Sequence, residues 1–186
     1  MGPNVSSADP FPCACPQLPA DIHIARALGS YEGTLRLAVH ALKYQSHRSV
    51  APKLARLIVE RYDPVLAGAD AIVPVPLHRR RRWRRGFNQC EEIARHLPLP
   101  VWRVLRRVRH TPQTGLTAAE RRMNVQRAFA PRRVGRPSRV AGRCIVLLDD
   151  VSTTGATLAA CAAVLKRLGA REIRGLTIAR TRQSSP

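Results

Sequence analysis

Two adjacent carboxylates, Asp149 and Asp150, are followed after a single valine by the loop Ser152-Thr153-Thr154-Gly155-Ala156-Thr157. A hydroxyl-rich loop that opens a helix offers backbone N–H groups and the positive end of the helix to a phosphate. The carboxylates would repel a bare phosphate, so they must serve another part of the ligand. Vicinal sugar hydroxyls suit them, and a ribose 5-phosphate satisfies both halves. An Asp pair at the end of a buried strand is costly to keep without a ligand or metal.

The elements that must position these groups can be read on either side. Five apolar residues, Cys144 to Leu148, form a buried central strand, expected to end on the Asp pair. Leu158, Cys161, Leu165 and Leu168 then recur at helical spacing until Gly169 stops the helix. A second strand, Ala71 to Val75, leads into six arginines in seven residues, Arg79 to Arg85, interrupted by Trp83. Gly86-Phe87-Asn88-Gln89 closes that loop, and Glu91, Glu92, Ile93, Ala94 and Leu97 carry a helix. Two strand-to-helix junctions thus face one ligand from the carboxyl end of one parallel sheet. Arginine suits such a place because a guanidinium grips phosphate oxygens with two hydrogen bonds. Trp83 either stacks on a base or covers the core.

Upstream, Leu35, Val39 and Leu42 mark one helix, with Gly33 before it. Leu54, Leu57, Ile58 and Arg61 mark another, with Pro64 placed beyond its end. Lys43 closes the first, either answering the helix dipole or reaching an anion. Val101 to Val108 is strand-like, and Thr117 with Glu120 forms a capping box that starts a short helix bearing Arg121 and Arg122.

Composition sets the bounds. The 186 residues suit one domain, with 45% hydrophobic residues for a core. No run approaches the roughly eighteen apolar residues of a membrane span, and the first twenty residues lack the pattern of a signal peptide, so the expected location is the cytoplasm, without membrane insertion. The five cysteines show no disulfide framework; Cys90, Cys144 and Cys161 fall in segments that read as helical or buried, and Cys13 and Cys15 lack the second pair that a zinc ribbon needs. The formal charge is +20, and Arg79 to Arg143 holds nineteen arginines against Glu91, Glu92 and Glu120. That excess favours polyanionic partners, although most of these arginines read as solvated surface. The absence of GxxxxGK(S/T) excludes a P-loop nucleotidase.

The apolar strand, Asp pair and Thr-Thr-Gly-x-Thr loop resemble the type I phosphoribosyltransferases. Leu42-Lys43-Tyr44, Pro74-Val75-Pro76-Leu77-His78, Arg85-Gly86-Phe87-Asn88-Gln89, and Gln113 with Arg121 and Asn124 to Phe129 narrow the resemblance to the ComF family, over about Tyr31 to Arg180. The fold it implies is α/β, a mainly parallel sheet flanked by helices, with a mobile hood. The expected organisation is a flexible lead-in over 1–20, a domain over 21–182 and a disordered tail over 183–186. The lead-in would be a degenerate remnant of the zinc ribbon common in that family.

By that resemblance the ligand is phosphoribosyl pyrophosphate with magnesium. Asp149 and Asp150, the catalytic candidates, would hold the ribose hydroxyls, alone or through the metal, and Ser152, Thr153, Thr154, Gly155, Ala156 and Thr157 the 5-phosphate. Lys43, Arg84, Arg85 and Gly86 would take the pyrophosphate, and Arg121 would belong to the hood. The family's association with DNA uptake makes Arg79, Arg80, Arg81, Arg82 and Trp83 the place to look for single-stranded DNA, and a homodimer is a further expectation. Gly175 to Arg182, read as lying after the last strand, has no aromatic residue to stack an acceptor base, so a transferase and a non-catalytic ribose-phosphate-binding module both stand.

Overall fold

A computed structural model describes residues 19–44, 47–77, 83, 85–108 and 128–181, the side chains of 62, 63 and 135 aside. The chain enters through β1 (Ile24–Ser30) and runs through α1 (Gly33–Tyr44) and α2 (Val50–Leu66) to β2 (Ala71–Pro74). After α3 (Gln89–Ala94) come β3 (Leu105–Arg107) and β4 (Phe129–Pro131). Two 3-10 turns lead to β5 (Cys144–Ser152), α4 (Ala156–Arg167) and β6 (Glu172–Arg180).

Four strands form a parallel sheet in the order β1-β6-β5-β2, and β3 pairs antiparallel with β4 apart from it. The central place of β5 follows from its composition. Cys144 to Leu148 are fully buried, and alternate side chains serve opposite faces of the sheet. Val146 and Leu148 join the core made with α1, α2 and α3, including Leu42, Ile58 and Ile93. Ile145 and Leu147 join the core made with α4 and the β3–β4 pair, including Leu165 and Phe129. Three layers result, and all three cysteines among the described residues are buried and unbridged.

The arrangement alters several expectations. β5 does not stop at the carboxylates: Asp149 pairs with Thr177, Val151 with Ala179 and Ser152 with Arg180, so the partner strand carries the ladder past the Asp pair. Gly175 to Arg180 lies inside β6, so this segment is part of the last strand instead of coming after it. Pro64 sits within α2. The helix continues because Arg174 Nη1 donates to the carbonyls of Pro64, Val65 and Ala67 at 3.2, 3.1 and 2.7 Å, satisfying its final turn from outside. Val101 to Val108 is no single strand, since Val101 makes only an isolated bridge to Ile72 and β3 begins at Leu105. No helix among the described residues is long and apolar enough to cross a membrane.

Candidate functional site

A crevice opens where the chain leaves neighbouring strands toward opposite faces of the sheet. From β2 it turns to α3 on one face, and from β5 to α4 on the other. Ligands of open α/β sheets bind at such a switch point, over the carboxyl ends of the strands. A cleft of about 600 Å³ lies there, lined by Lys43, Tyr44, Val75 to Leu77, Arg85, Gln89, Cys90, Arg107, Asp149, Asp150, Val151, Thr153 and Thr157.

The two carboxylates differ because strand alternation sends them to different sides. Asp150 belongs to the helical side: it pairs with Lys43 Nζ at 2.9 Å and accepts a hydrogen bond from Gln89 Nε2. Asp149 belongs to the side of α4, is 7% exposed, and accepts the N–H of Asp150 at 2.8 Å. Burial, reinforced by the neighbouring Asp150 charge, pushes its carboxyl up to about 7, against the pull of that N–H, Lys43 and Arg107. Burial and the same two carboxylates push the Cys90 thiol well above its ordinary range, which makes it a packing group and not a nucleophile.

The loop after β5 has the form an anion site requires. Gly155 takes φ 75°, a conformation glycine adopts freely, and gives α4 no side-chain cap; the Ala156 N–H reaches Thr154 Oγ1 only at 3.4 Å. Thr153 and Thr157 face the cleft, whereas Ser152 lies in the β5 ladder. The loop after β2 is anchored by buried Asn88, whose Oδ1 accepts from Cys90 N and whose Nδ2 donates to Val75 O, each at 3.0 Å. That anchor places Gln89 inward and Arg85 over the Tyr44 ring, 5.2 Å from its centroid. Gly86 makes the turn between them at φ 74°.

Lys43, Arg85, Asp149, Asp150, Thr153 and Thr157, expected from the sequence to act together, therefore meet in one cleft. Trp83 is 87% exposed, which rules out its covering the core. Arg79 to Arg82, Arg84, Arg121, Cys13 and Cys15 lie outside the described residues. Among the other lining residues, Tyr44, Gln89 and Arg107 carry polar groups that were not singled out as ligand contacts beforehand. Tyr44 and Gln89 stand within the blocks that carry the family resemblance, whereas Arg107 left no local signal beyond its place in a strand-like run.

The sequence profile of the phosphoribosyl transferase domain matches residues 40–185. The chain belongs to the phosphoribosyltransferase family. Its parallel central sheet flanked by helices is accordingly the fold of a type I phosphoribosyltransferase domain. Competence protein F of Haemophilus influenzae is 34% identical over 164 residues, covering 82% of this chain and 71% of that protein. DNA utilization protein YhgH of Salmonella typhi is 37% identical over 185 residues, covering 92% and 78%. Competence protein ComFC of Bacillus subtilis is 32% identical over 111 residues, covering 59% and 44%. These relatives bear out the ComF resemblance. A solved hypoxanthine phosphoribosyltransferase from Staphylococcus aureus is a distant likeness, with 10% identity over 75% of this chain and 69% of that one and a TM-score of 0.44; membership rests on the profile and the relatives.

Proposed function

We propose that the cleft binds phosphoribosyl pyrophosphate and that the protein is a cytoplasmic participant in DNA uptake and utilisation, as the names of its relatives suggest. The observation that carries the ligand assignment is the meeting of Asp149 and Asp150 with Lys43, Arg85, Thr153 and Thr157 at the switch point. Asp149 and Asp150 orient the ribose hydroxyls. The Thr153 to Thr157 loop holds the 5-phosphate, and Lys43 with Arg85 neutralises the pyrophosphate. The carboxylate oxygens beside these groups suit a hard cation, so Asp149 and Asp150 could help hold a magnesium ion whose contribution, when bound, is charge neutralisation at the leaving pyrophosphate. In a transfer, the bond from ribose C1 to the pyrophosphate oxygen breaks, a bond from C1 to an acceptor nitrogen forms, and the nitrogen's proton leaves to solvent. The chain's own share is positioning and electrostatics.

A second reading is favoured by one feature of the cleft: Tyr44 is the single aromatic side chain among its described lining residues, and Arg85 already lies over that ring. Among the described lining residues no further aromatic side chain offers a platform for an acceptor base. In this reading the protein holds the ribose phosphate without turnover and engages single-stranded DNA through Arg79 to Arg82, with exposed Trp83 available to stack on a base. A pyrophosphate-release assay with phosphoribosyl pyrophosphate, magnesium and a panel of nitrogen bases separates the two. Release with one base establishes the transferase, and tight binding with a silent panel establishes the module. Replacing Arg79 to Arg82 with serine should flatten the salt dependence of single-stranded DNA binding by up to about 3 in log–log slope, and an unchanged slope removes the tract from the interface.

A further inference from the structure

Gln89 is among the most buried side chains of the protein, 2% exposed, and it is polar. Its two amide atoms face opposite charges. Nε2 donates to Asp150 Oδ2, and Oε1 accepts from Arg85 Nη1 at 3.3 Å. Both partners are also held elsewhere, Asp150 by Lys43 Nζ at 2.9 Å and Arg85 by the face of Tyr44. The backbone on either side is tied down by the two hydrogen bonds of Asn88. The chemistry narrows the choice of residue. Bridging a carboxylate and a guanidinium at once takes a side chain that donates and accepts without charge of its own. A glutamate would repel Asp150, a lysine would repel Arg85, and an asparagine is one methylene shorter.

Resting on the ligand reading above, we propose that Gln89 is a positioning residue that couples the pyrophosphate arm of the cleft, Arg85, to the ribose arm, Asp150. Pyrophosphate that draws on Arg85 sets the amide, and the amide aims the Asp150 carboxylate at the ribose. Occupation of either arm therefore prepares the other, and the intact ligand gains over its fragments. A glutamine that only filled a buried space would do none of this, and a methionine of similar shape would replace it without loss.

The test is calorimetry on the full chain with magnesium, using ribose 5-phosphate and inorganic pyrophosphate singly and together. In the parent protein, saturating pyrophosphate should tighten ribose 5-phosphate by about tenfold, within the usual range of coupling between sites. Gln89→Met should bring that factor close to one. Gln89→Glu keeps an acceptor for Arg85 but sets a second carboxylate against Asp150. It should therefore retain pyrophosphate affinity and lose ribose 5-phosphate affinity, a split that also serves should the methionine variant not fold. An unchanged coupling factor in Gln89→Met, or parent-like ribose 5-phosphate binding in Gln89→Glu, overturns the proposal. A parent protein that binds both fragments without coupling overturns it alone, whereas a parent that binds neither overturns the ligand reading with it.

Discussion

Replacing Asp149 with asparagine should stabilise the unliganded protein at alkaline pH while abolishing its ligand binding, and the size of the gain should depend on pH in a definite way. The buried carboxyl titrates at about 7 in place of 3.8. A carboxyl raised in the folded state holds its proton more tightly there than in the unfolded chain. Its favourable contribution is therefore complete below the unfolded value and is lost as pH rises through the window from about 4 to about 7. Roughly three units at about 1.4 kcal/mol each set a ceiling of about 4 kcal/mol on that loss. An asparagine keeps the oxygen that accepts the Asp150 N–H, but it buries an NH2 group that costs about 1–3 kcal/mol if left unpaired. The net gain at pH 8 should then be about 1–3 kcal/mol. The comparison between pH values is cleaner, because the amide cost does not titrate. Urea unfolding of parent and variant at pH 4.5 and pH 8 should show the difference between them moving by about 3 kcal/mol in favour of the variant. A difference that stays flat across that range would mean that Asp149 behaves as an ordinary surface carboxyl, and the burial argument would fail.

Lys43→Met should cost about 2–3 kcal/mol in chemical denaturation, because it leaves the Asp150 carboxylate, whose side chain is only 14% exposed, without its cation. Asn88→Ala should cost about 2 kcal/mol and lower the melting temperature by several degrees, since it frees both the Cys90 N–H and the Val75 carbonyl in a buried setting. Trp83→Ala should leave the unfolding midpoint within the range of surface substitutions, about 0.5 kcal/mol, while weakening single-stranded DNA binding in a filter or anisotropy assay by about 1–3 kcal/mol.

The parts of the architecture that were legible beforehand are those whose signal is local. β5 shows itself as an unbroken apolar run and α4 as apolar residues at helical spacing, and both sit where expected, the strand reaching further. The blocks around Arg85 and Asp149 could be read toward one ligand because each follows a recognisable strand, whereas Lys43 joined them only through the family resemblance. β1 was not legible. It is an edge strand only partly buried, it carries Arg26, and its sole partner is β6, some 150 residues away, so nothing nearby in the chain marks it. The length of β5 was hidden for the same reason, since β6 is what extends it past the Asp pair. The end of α2 was misplaced at Pro64 because its last carbonyls are satisfied by Arg174, a residue that no local reading connects to it. The opposite facing of Asp149 and Asp150 was different in kind. Strand alternation implies it, yet reading the pair as one unit obscured that Asp150 meets Lys43 while Asp149, lining the same cleft, is buried toward α4.

The central claim is that this cleft holds a phosphorylated ribose with its pyrophosphate. Calorimetric titration of phosphoribosyl pyrophosphate with magnesium into the full chain, and into the Asp149→Asn, Asp150→Asn double variant, addresses it directly. The account predicts saturable binding at one site per chain in the parent and none in the double variant. Parent protein that gives no binding heat at any temperature, or a double variant that binds as tightly as the parent, would contradict it.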